Sequence, residues 1–94
     1  MFKDLGKLKY ISKKTLISIP LQEIPQDISV HPSLIIYRED EGLHVYDRRC
    51  DHNGGTLCLM NNSIKCPMHD WEFDAKTGQY KNVQVSKQEL NYEI

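Results

Sequence analysis

Two short motifs contain the residues of this 94-residue sequence that are best suited to bind a transition metal. They are Cys50-x-His52 and Cys66-x-x-His69, separated by residues 53–65. Each motif offers one thiolate and one imidazole, and the metals that accept both are mainly zinc and the iron of iron–sulfur clusters. Structural zinc sites usually keep their two cysteines together and their two histidines together. Because each motif here mixes the two types, the pattern favours an iron–sulfur centre, with a zinc-bound structural module as the alternative.

The residues that follow each motif help to decide between an iron–sulfur centre and a zinc site. Gly54 and Gly55 follow the first motif, and the second continues as C-P-M-H-D-W-E-F-D and then Thr77-Gly78. With these residues the sequence resembles the Rieske family, in particular its ferredoxin and oxygenase-type branch. Glycine beside a cluster lets backbone amides approach the bridging sulfides, where a side chain would block them. The resemblance covers the second half of the chain closely and the first half only by its strand pattern.

The Rieske resemblance implies one 2Fe–2S cluster in which two histidines replace two cysteines on one iron. By the same resemblance, Cys50 and Cys66 bind the inner iron, and His52 and His69 bind the outer iron near the surface. An oxidised site with two thiolates is formally neutral, whereas four thiolates would make it a dianion. Since adding an electron to a neutral centre costs less Coulomb energy, the histidines raise the reduction potential relative to all-cysteine clusters.

Several positions differ from those of high-potential Rieske proteins. Gly55 and Met68 stand where those relatives have two bridging cysteines, and Trp71 and Phe73 stand where they have a serine and a tyrosine that donate to sulfur. Phenylalanine has no donor, so we expect a potential of about −150 mV, at the low end of the Rieske range. The third cysteine, Cys58, has no evident partner and is interpreted as a small hydrophobic residue.

The pattern of apolar residues and turns predicts an all-β chain. Residues 34–38 and 43–47 form a hairpin around residues 39–42, and residues 57–60 and 63–65 form another around Asn61-Asn62, where asparagine tolerates positive φ. Residues 15–19 are a further strand, and the alternating apolar residues of 83–85 and 90–94 predict two closing strands. The expected fold is a Rieske-type antiparallel β-sandwich, a single domain over residues 1–94. A small cluster-binding subdomain of two hairpin loops spans about residues 48–74.

Composition and charge indicate the cellular location of the chain and the classes of partner to expect. Its net charge of −1 gives no reason to expect nucleic acid or an anionic membrane as a partner. It has no apolar run of membrane-spanning length and no signal-peptide pattern, and nothing in its cysteines requires an oxidising compartment. A cytoplasmic location is therefore expected. The Rieske resemblance implies single-electron transfer, without catalysis by this chain alone, between a reductase and an oxygenase or hydroxylase.

A second interpretation keeps the single-electron transfer but makes this chain one domain of a longer protein. The sequence also resembles the N-terminal Rieske domain of CMP-N-acetylneuraminate hydroxylase-like proteins. The chain stops at Ile94 inside an apparent strand, as a piece of a longer oxygenase chain would. The sequence leaves open which of these contexts applies, the identity of the redox partners and substrate, the oligomeric state and the role of Cys58.

Overall fold

Three antiparallel sheets make up the fold in the computed structural model, which describes residues 6–12, 15–51, 55–61, 63–68 and 70–94. The first sheet pairs β1 (Lys7–Ser12) with β2 (Thr15–Pro20), and a 3-10 helix, Leu21–Glu23, follows. The second sheet has the order β3 (Asp27–Val30), β4 (Leu34–Glu39), β5 (Gly42–Asp47). The third has the order β6 (Cys58–Met60), β7 (Ser63–Lys65), β8 (Glu72–Asp74), β9 (Gln79–Tyr80). The predicted all-β class is confirmed, and no helix within the described residues is long and apolar enough to cross a bilayer.

The second sheet lies between two separate groups of buried side chains. On β4, Leu34 and Ile36 belong to one group and Ile35 to the other. On β5, Val45 belongs to the group of Leu34 and Ile36, and Tyr46 belongs to the group of Ile35. Since successive side chains of a strand point to opposite faces, β4 and β5 are buried on both faces. This explains the uninterrupted apolar run at positions 34–36, which a sheet with one solvated face would not need.

One of these groups, which we call the lower core, contains both motif cysteines. Its members come from the second and third sheets and the loops between them: Ile35, Tyr46, Cys50, Leu57, Ile64, Cys66, Phe73, Ala75 and Tyr80. The cysteines therefore lie between the second and third sheets, and the packing of those sheets positions them.

Both predicted hairpins are confirmed. Glu39 pairs with Gly42 at the end of the first, and Met60 pairs with Ser63 at the end of the second. Asn61 has a φ of 49°, the positive value that asparagine tolerates in such turns; Asn62 lies outside the described residues. Strand β3 was not predicted from the sequence, because Pro25 and Pro32 on either side of it indicate breaks in regular structure.

The predicted closing strands at 83–85 and 90–94 are not found. Within the described residues, this segment makes only isolated bridges, Gln79 with Ser86 and Lys9 with Glu93. Its alternation reflects side-chain burial rather than a hydrogen-bonded ladder, because Val83 and Val85 pack on the lower core while Leu90 and Tyr92 pack on the other core.

A histidine between two carboxylates attaches this C-terminal segment to the second sheet. His44 on β5 hydrogen-bonds to Glu39 on β4 and to Glu89 in the C-terminal segment. Burial alone would lower the pKa of His44, but the hydrogen bonds and charges of the two glutamates outweigh it and raise that pKa. His31 differs, because burial lowers its pKa and its ring hydrogen-bonds to the Ser29 hydroxyl at 2.7 Å.

The two histidines should therefore change stability in opposite directions with pH. The contribution of His44 is fully present below the ordinary histidine pKa of about 6.5 and is lost as pH rises through its raised folded pKa. The contribution of His31 is present above about 6.5 and is lost as pH falls through its lowered folded pKa. We expect His44→Gln to lower the melting temperature more at acidic than at alkaline pH, and His31→Gln to do the reverse. Thermal unfolding of both variants from acidic to alkaline pH measures these changes. The same trend with pH in both variants would contradict the opposite pKa directions assigned to His44 and His31.

Candidate metal centre

The structure places both motif cysteines in the lower core. Cys50 lies three residues beyond β5 and is 1% exposed, and Cys66 directly follows β7 and is fully buried. The other two predicted ligands, His52 and His69, lie outside the described residues. Among the described residues, no group of three or more His, Cys, Asp and Glu side chains is arranged to hold a metal ion. The described part of the site therefore consists of the two cysteines and the residues that position them.

Gly55 connects the two cysteines. Its carbonyl oxygen accepts a hydrogen bond from the Cys50 amide at 2.5 Å. A Cβ built at position 55 would lie only 2.8 Å from the Cys66 Sγ and 3.3 Å from the Met68 Sδ. The backbone of the first motif thus comes directly against the sulfur of the second, and only glycine leaves room for that approach.

Arg48 fixes the base of the first motif loop, which we define as residues 48–57. Its Nε donates to the Leu57 carbonyl at 2.7 Å, and its Nη1 donates to the His31 carbonyl at 3.2 Å. The Leu57 amide donates in return to the Arg48 carbonyl at 2.9 Å. Arg48 therefore joins the two ends of this loop and ties them to the second sheet. The sequence alone did not indicate this role, because an arginine next to a motif is usually a surface residue with no specific contact.

Backbone hydrogen bonds and one asparagine hold the second motif loop, which we define as residues 66–71. The Cys66 amide donates to the Trp71 carbonyl at 2.9 Å, and the Asp70 amide donates to the Cys66 carbonyl at 2.8 Å. Asn82 reaches across from beyond β9: its Nδ2 donates to the Asp70 carbonyl at 2.7 Å, and its Oδ1 accepts from the Glu72 amide at 3.0 Å. Both loops are therefore held by contacts that are independent of any bound group.

Tyr80, on β9, supplies a hydroxyl at the Cys50 sulfur. The hydroxyl accepts a hydrogen bond from the Asp51 amide at 3.1 Å and hydrogen-bonds with the Cys50 side chain. Burial raises the pKa of Tyr80 above its usual range, so the phenol stays protonated and remains able to donate at neutral pH. The ring packs against Trp71 and Phe73, with centroids 5.3 Å and 5.4 Å away.

The donor of this bond stands at a position that the sequence did not indicate. The Rieske resemblance placed the sulfur-donating positions at Trp71 and Phe73, and Phe73 proves to be a buried core residue, edge-on to Tyr46 at 5.1 Å. Tyr80 approaches because β8 and β9 pair, which sets Phe73 directly opposite Tyr80. A strand register that the sequence did not specify therefore decides which hydroxyl reaches the sulfur.

The chemistry of these donors fits an iron–sulfur group. Cys50, Cys58 and Cys66 form no disulfide, and the two motif thiols are withdrawn from water beside a backbone position that excludes any side chain. Cys58 is different: it is half-buried, and its Sγ lies 3.9 Å from the Arg48 Nη2. Two buried thiols that share a glycine contact suit an iron–sulfur cluster held by cysteine thiolates.

Comparison with protein families agrees with this chemistry. The model of the Rieske [2Fe-2S] domain matches residues 6–92. The chain belongs to the Rieske family. Its cofactor is accordingly a Rieske-type 2Fe–2S cluster, and its role is in electron transport. The resemblance drawn from the two motifs is confirmed.

Among curated proteins, the matches to this Rieske chain are short segments of much longer polypeptides. It is 33% identical over 55 residues to the cytidine monophosphate-N-acetylneuraminic acid hydroxylase of Xenopus laevis, covering 53% of this chain and 9% of that protein. It is 40% identical over 45 residues to a probable 3-ketosteroid-9-alpha-monooxygenase oxygenase component of Rhodococcus rhodochrous, covering 44% of this chain and 11% of that protein. The chain thus spans about a tenth of the length of these relatives. No solved structure matches it.

The contact at Gly55 gives a direct test of the site. Gly55→Ala would place a methyl group 2.8 Å from the Cys66 sulfur, so the two loops would have to separate. We expect the variant to bind less iron and to lose about 1–3 kcal/mol of stability, as overpacked cores do. Iron content and thermal unfolding measure both effects. Thr56→Ala, at the exposed neighbouring position, is the matched control and should leave both unchanged; wild-type iron content in Gly55→Ala would contradict the proposed contact.

Proposed function

We propose that this Rieske chain carries single electrons, with its cluster bound by Cys50, Cys66, His52 and His69. The observation that supports this most is the meeting of the two buried cysteines at Gly55. The bound cluster supplies a site that gains and loses one electron at a time. The protein residues supply the thiolates, exclude water from them and hold the two loops in a fixed arrangement.

Burial around the motifs supports assigning the cysteines to the inner iron and the histidines to the outer one. Both cysteines are inaccessible to solvent, whereas the residues that flank the histidine positions, Asp51, Pro67, Met68 and Asp70, are exposed. A histidine in either loop would therefore leave its metal-bound ring near the surface. An electron partner then approaches the outer iron through the imidazole edges.

The relatives support an oxygenase or hydroxylase as the electron acceptor, with a reductase as the donor. Their names describe a hydroxylase and an oxygenase component, and in each the matching segment is a small part of a long chain. Two arrangements follow. In one, the chain is a separate carrier of a single domain, acting in the cytoplasm. In the other, favoured by the 9% and 11% coverage of those relatives, the same domain is joined to the oxygenase that it reduces.

Metal and electron counts test the proposed function. The purified chain should contain two irons and two labile sulfides, and anaerobic reductive titration should take up one electron per chain. Cys50→Ser and Cys66→Ser should lose the cluster, while Cys58→Ser is the matched cysteine control and should keep it. One zinc in a colourless chain would support the structural-module alternative instead. A third iron, or more than one electron per chain, would contradict the assignment as a carrier.

The hydroxyl of Tyr80 predicts a measurable contribution to the potential. A hydrogen bond to a charged acceptor is worth about 1.5–3 kcal/mol, and only its strengthening on reduction changes the potential. If that part is about 1 kcal/mol, Tyr80→Phe should lower the midpoint potential by about 40 mV, since a tenfold change in a one-electron equilibrium is 59 mV. Voltammetry of the cluster-loaded variant measures this shift.

Tyr92→Phe is the matched control for that measurement. It also removes a half-buried hydroxyl, which donates to the Leu43 carbonyl at 3.1 Å in the other core. Its potential should equal that of the wild type. Equal potentials in Tyr80→Phe and the wild type would contradict a bond from Tyr80 to a ligand sulfur.

A further inference from the structure

Lys87 is a buried cation beside the first motif loop. Its side chain is only 4% exposed, although lysine is seldom buried unless it is paired. Its Nζ donates to the Arg49 carbonyl and lies 3.1 Å from the Asp51 Oδ1. These two partners are the residues immediately before and after Cys50, so the ammonium group binds the chain on both sides of that cysteine.

Lys87 is held in this place by contacts that do not involve the motif loop. Its amide donates to the Gly78 carbonyl at 2.7 Å, in the turn between β8 and β9. Its Nζ also lies 5.9 Å from the centroid of the Phe73 ring, within cation–π range. The position of the charge is therefore set by the third sheet, and the first motif loop is bound to it.

The two charges of this pair are unequally screened by water. Asp51 has a 36% exposed side chain, whereas the Lys87 side chain is almost fully enclosed. Exposed charges are weakened by solvent and salt, and buried ones much less. At a site next to Cys50, the positive charge should therefore act more strongly than the negative one.

We propose that Lys87 and Asp51 set the reduction potential of the cluster, with Lys87 raising it and Asp51 lowering it. Reduction adds one negative charge to the site, and a nearby ammonium group stabilises that charge while a carboxylate opposes it. Lys87 is thus a positioning residue that also supplies the local field. This inference depends on the proposed ligation by Cys50 and goes beyond it, because it assigns the tuning of the site to residues outside both motifs.

Opposite shifts in potential distinguish this electrostatic role from a structural one. Asp51→Asn removes the negative charge and keeps the side-chain shape, so it should raise the midpoint potential, shifting the one-electron equilibrium about threefold. Lys87→Met removes the buried positive charge and should lower the potential, with a shift of up to about tenfold, or about 59 mV. The double variant should fall between the two single variants.

Lys81→Met is the matched control for charge. Lys81 forms a 3.2 Å ion pair with Glu72 close to the second motif loop, but its side chain is 55% exposed. Removing this screened charge should shift the equilibrium less than twofold. Voltammetry of all four variants, together with iron content and thermal unfolding, provides the readouts.

The outcomes separate the alternatives. Opposite shifts for Asp51→Asn and Lys87→Met, both larger than that of Lys81→Met, support the proposal. Shifts of the same sign, or none beyond the control while stability falls, would overturn it and leave Lys87 with a structural role only. If Lys87→Met does not retain its cluster, Asp51→Asn decides alone: a raised potential supports the proposal and an unchanged one overturns it. A wild-type chain without a cluster would instead refute the proposed function.

Discussion

The close approach of the Gly55 backbone to the Cys66 sulfur is the constraint on which the rest of the site depends. It requires two loops from different parts of the chain to meet with no side chain between them. Arg48 joins the two ends of the first motif loop, and Asn82 binds the C-terminal end of the second. The second sheet, whose strands β4 and β5 are buried on both faces, carries the core on which both loops rest. In a chain of this size a bound cluster would add stability that a small core supplies only in part.

The fold class and the cysteine positions were predictable because they depend on local patterns. Alternating apolar residues and the turn at Asn61 specify hairpins through backbone geometry, which neighbouring residues largely determine. The mixed Cys/His motifs specify a class of metal site through ligand chemistry alone, and the family match confirms that class. The motif histidines stay predictions, since the described residues do not include them.

Tyr80 and Lys87 were not predictable, because their roles depend on pairing between segments that are distant in sequence. The β8–β9 register brings the Tyr80 hydroxyl to Cys50, and the Gly78–Lys87 bond brings an ammonium group to the residues on either side of that cysteine. The closing strands were wrongly predicted for a related reason. Alternation at Val83 and Val85 records which side chains are buried, and burial does not require a ladder partner. Sequence alone thus predicted few hydrogen-bond donors near the cluster. The packing adds the Tyr80 hydroxyl and the Lys87 ammonium group.

The most direct test of mixed cysteine and histidine ligation is pulsed electron paramagnetic resonance of the reduced protein, produced with nitrogen-15 histidine. Ligation by His52 and His69 predicts two histidine nitrogens coupled to the reduced cluster, and one of them should disappear in His52→Ala or His69→Ala variants that retain iron. His44→Gln removes a histidine bonded to two glutamates away from the motif loops and should leave both couplings unchanged. A spectrum without histidine coupling, or with a single coupled nitrogen in the wild type, would contradict the ligation proposed for this chain.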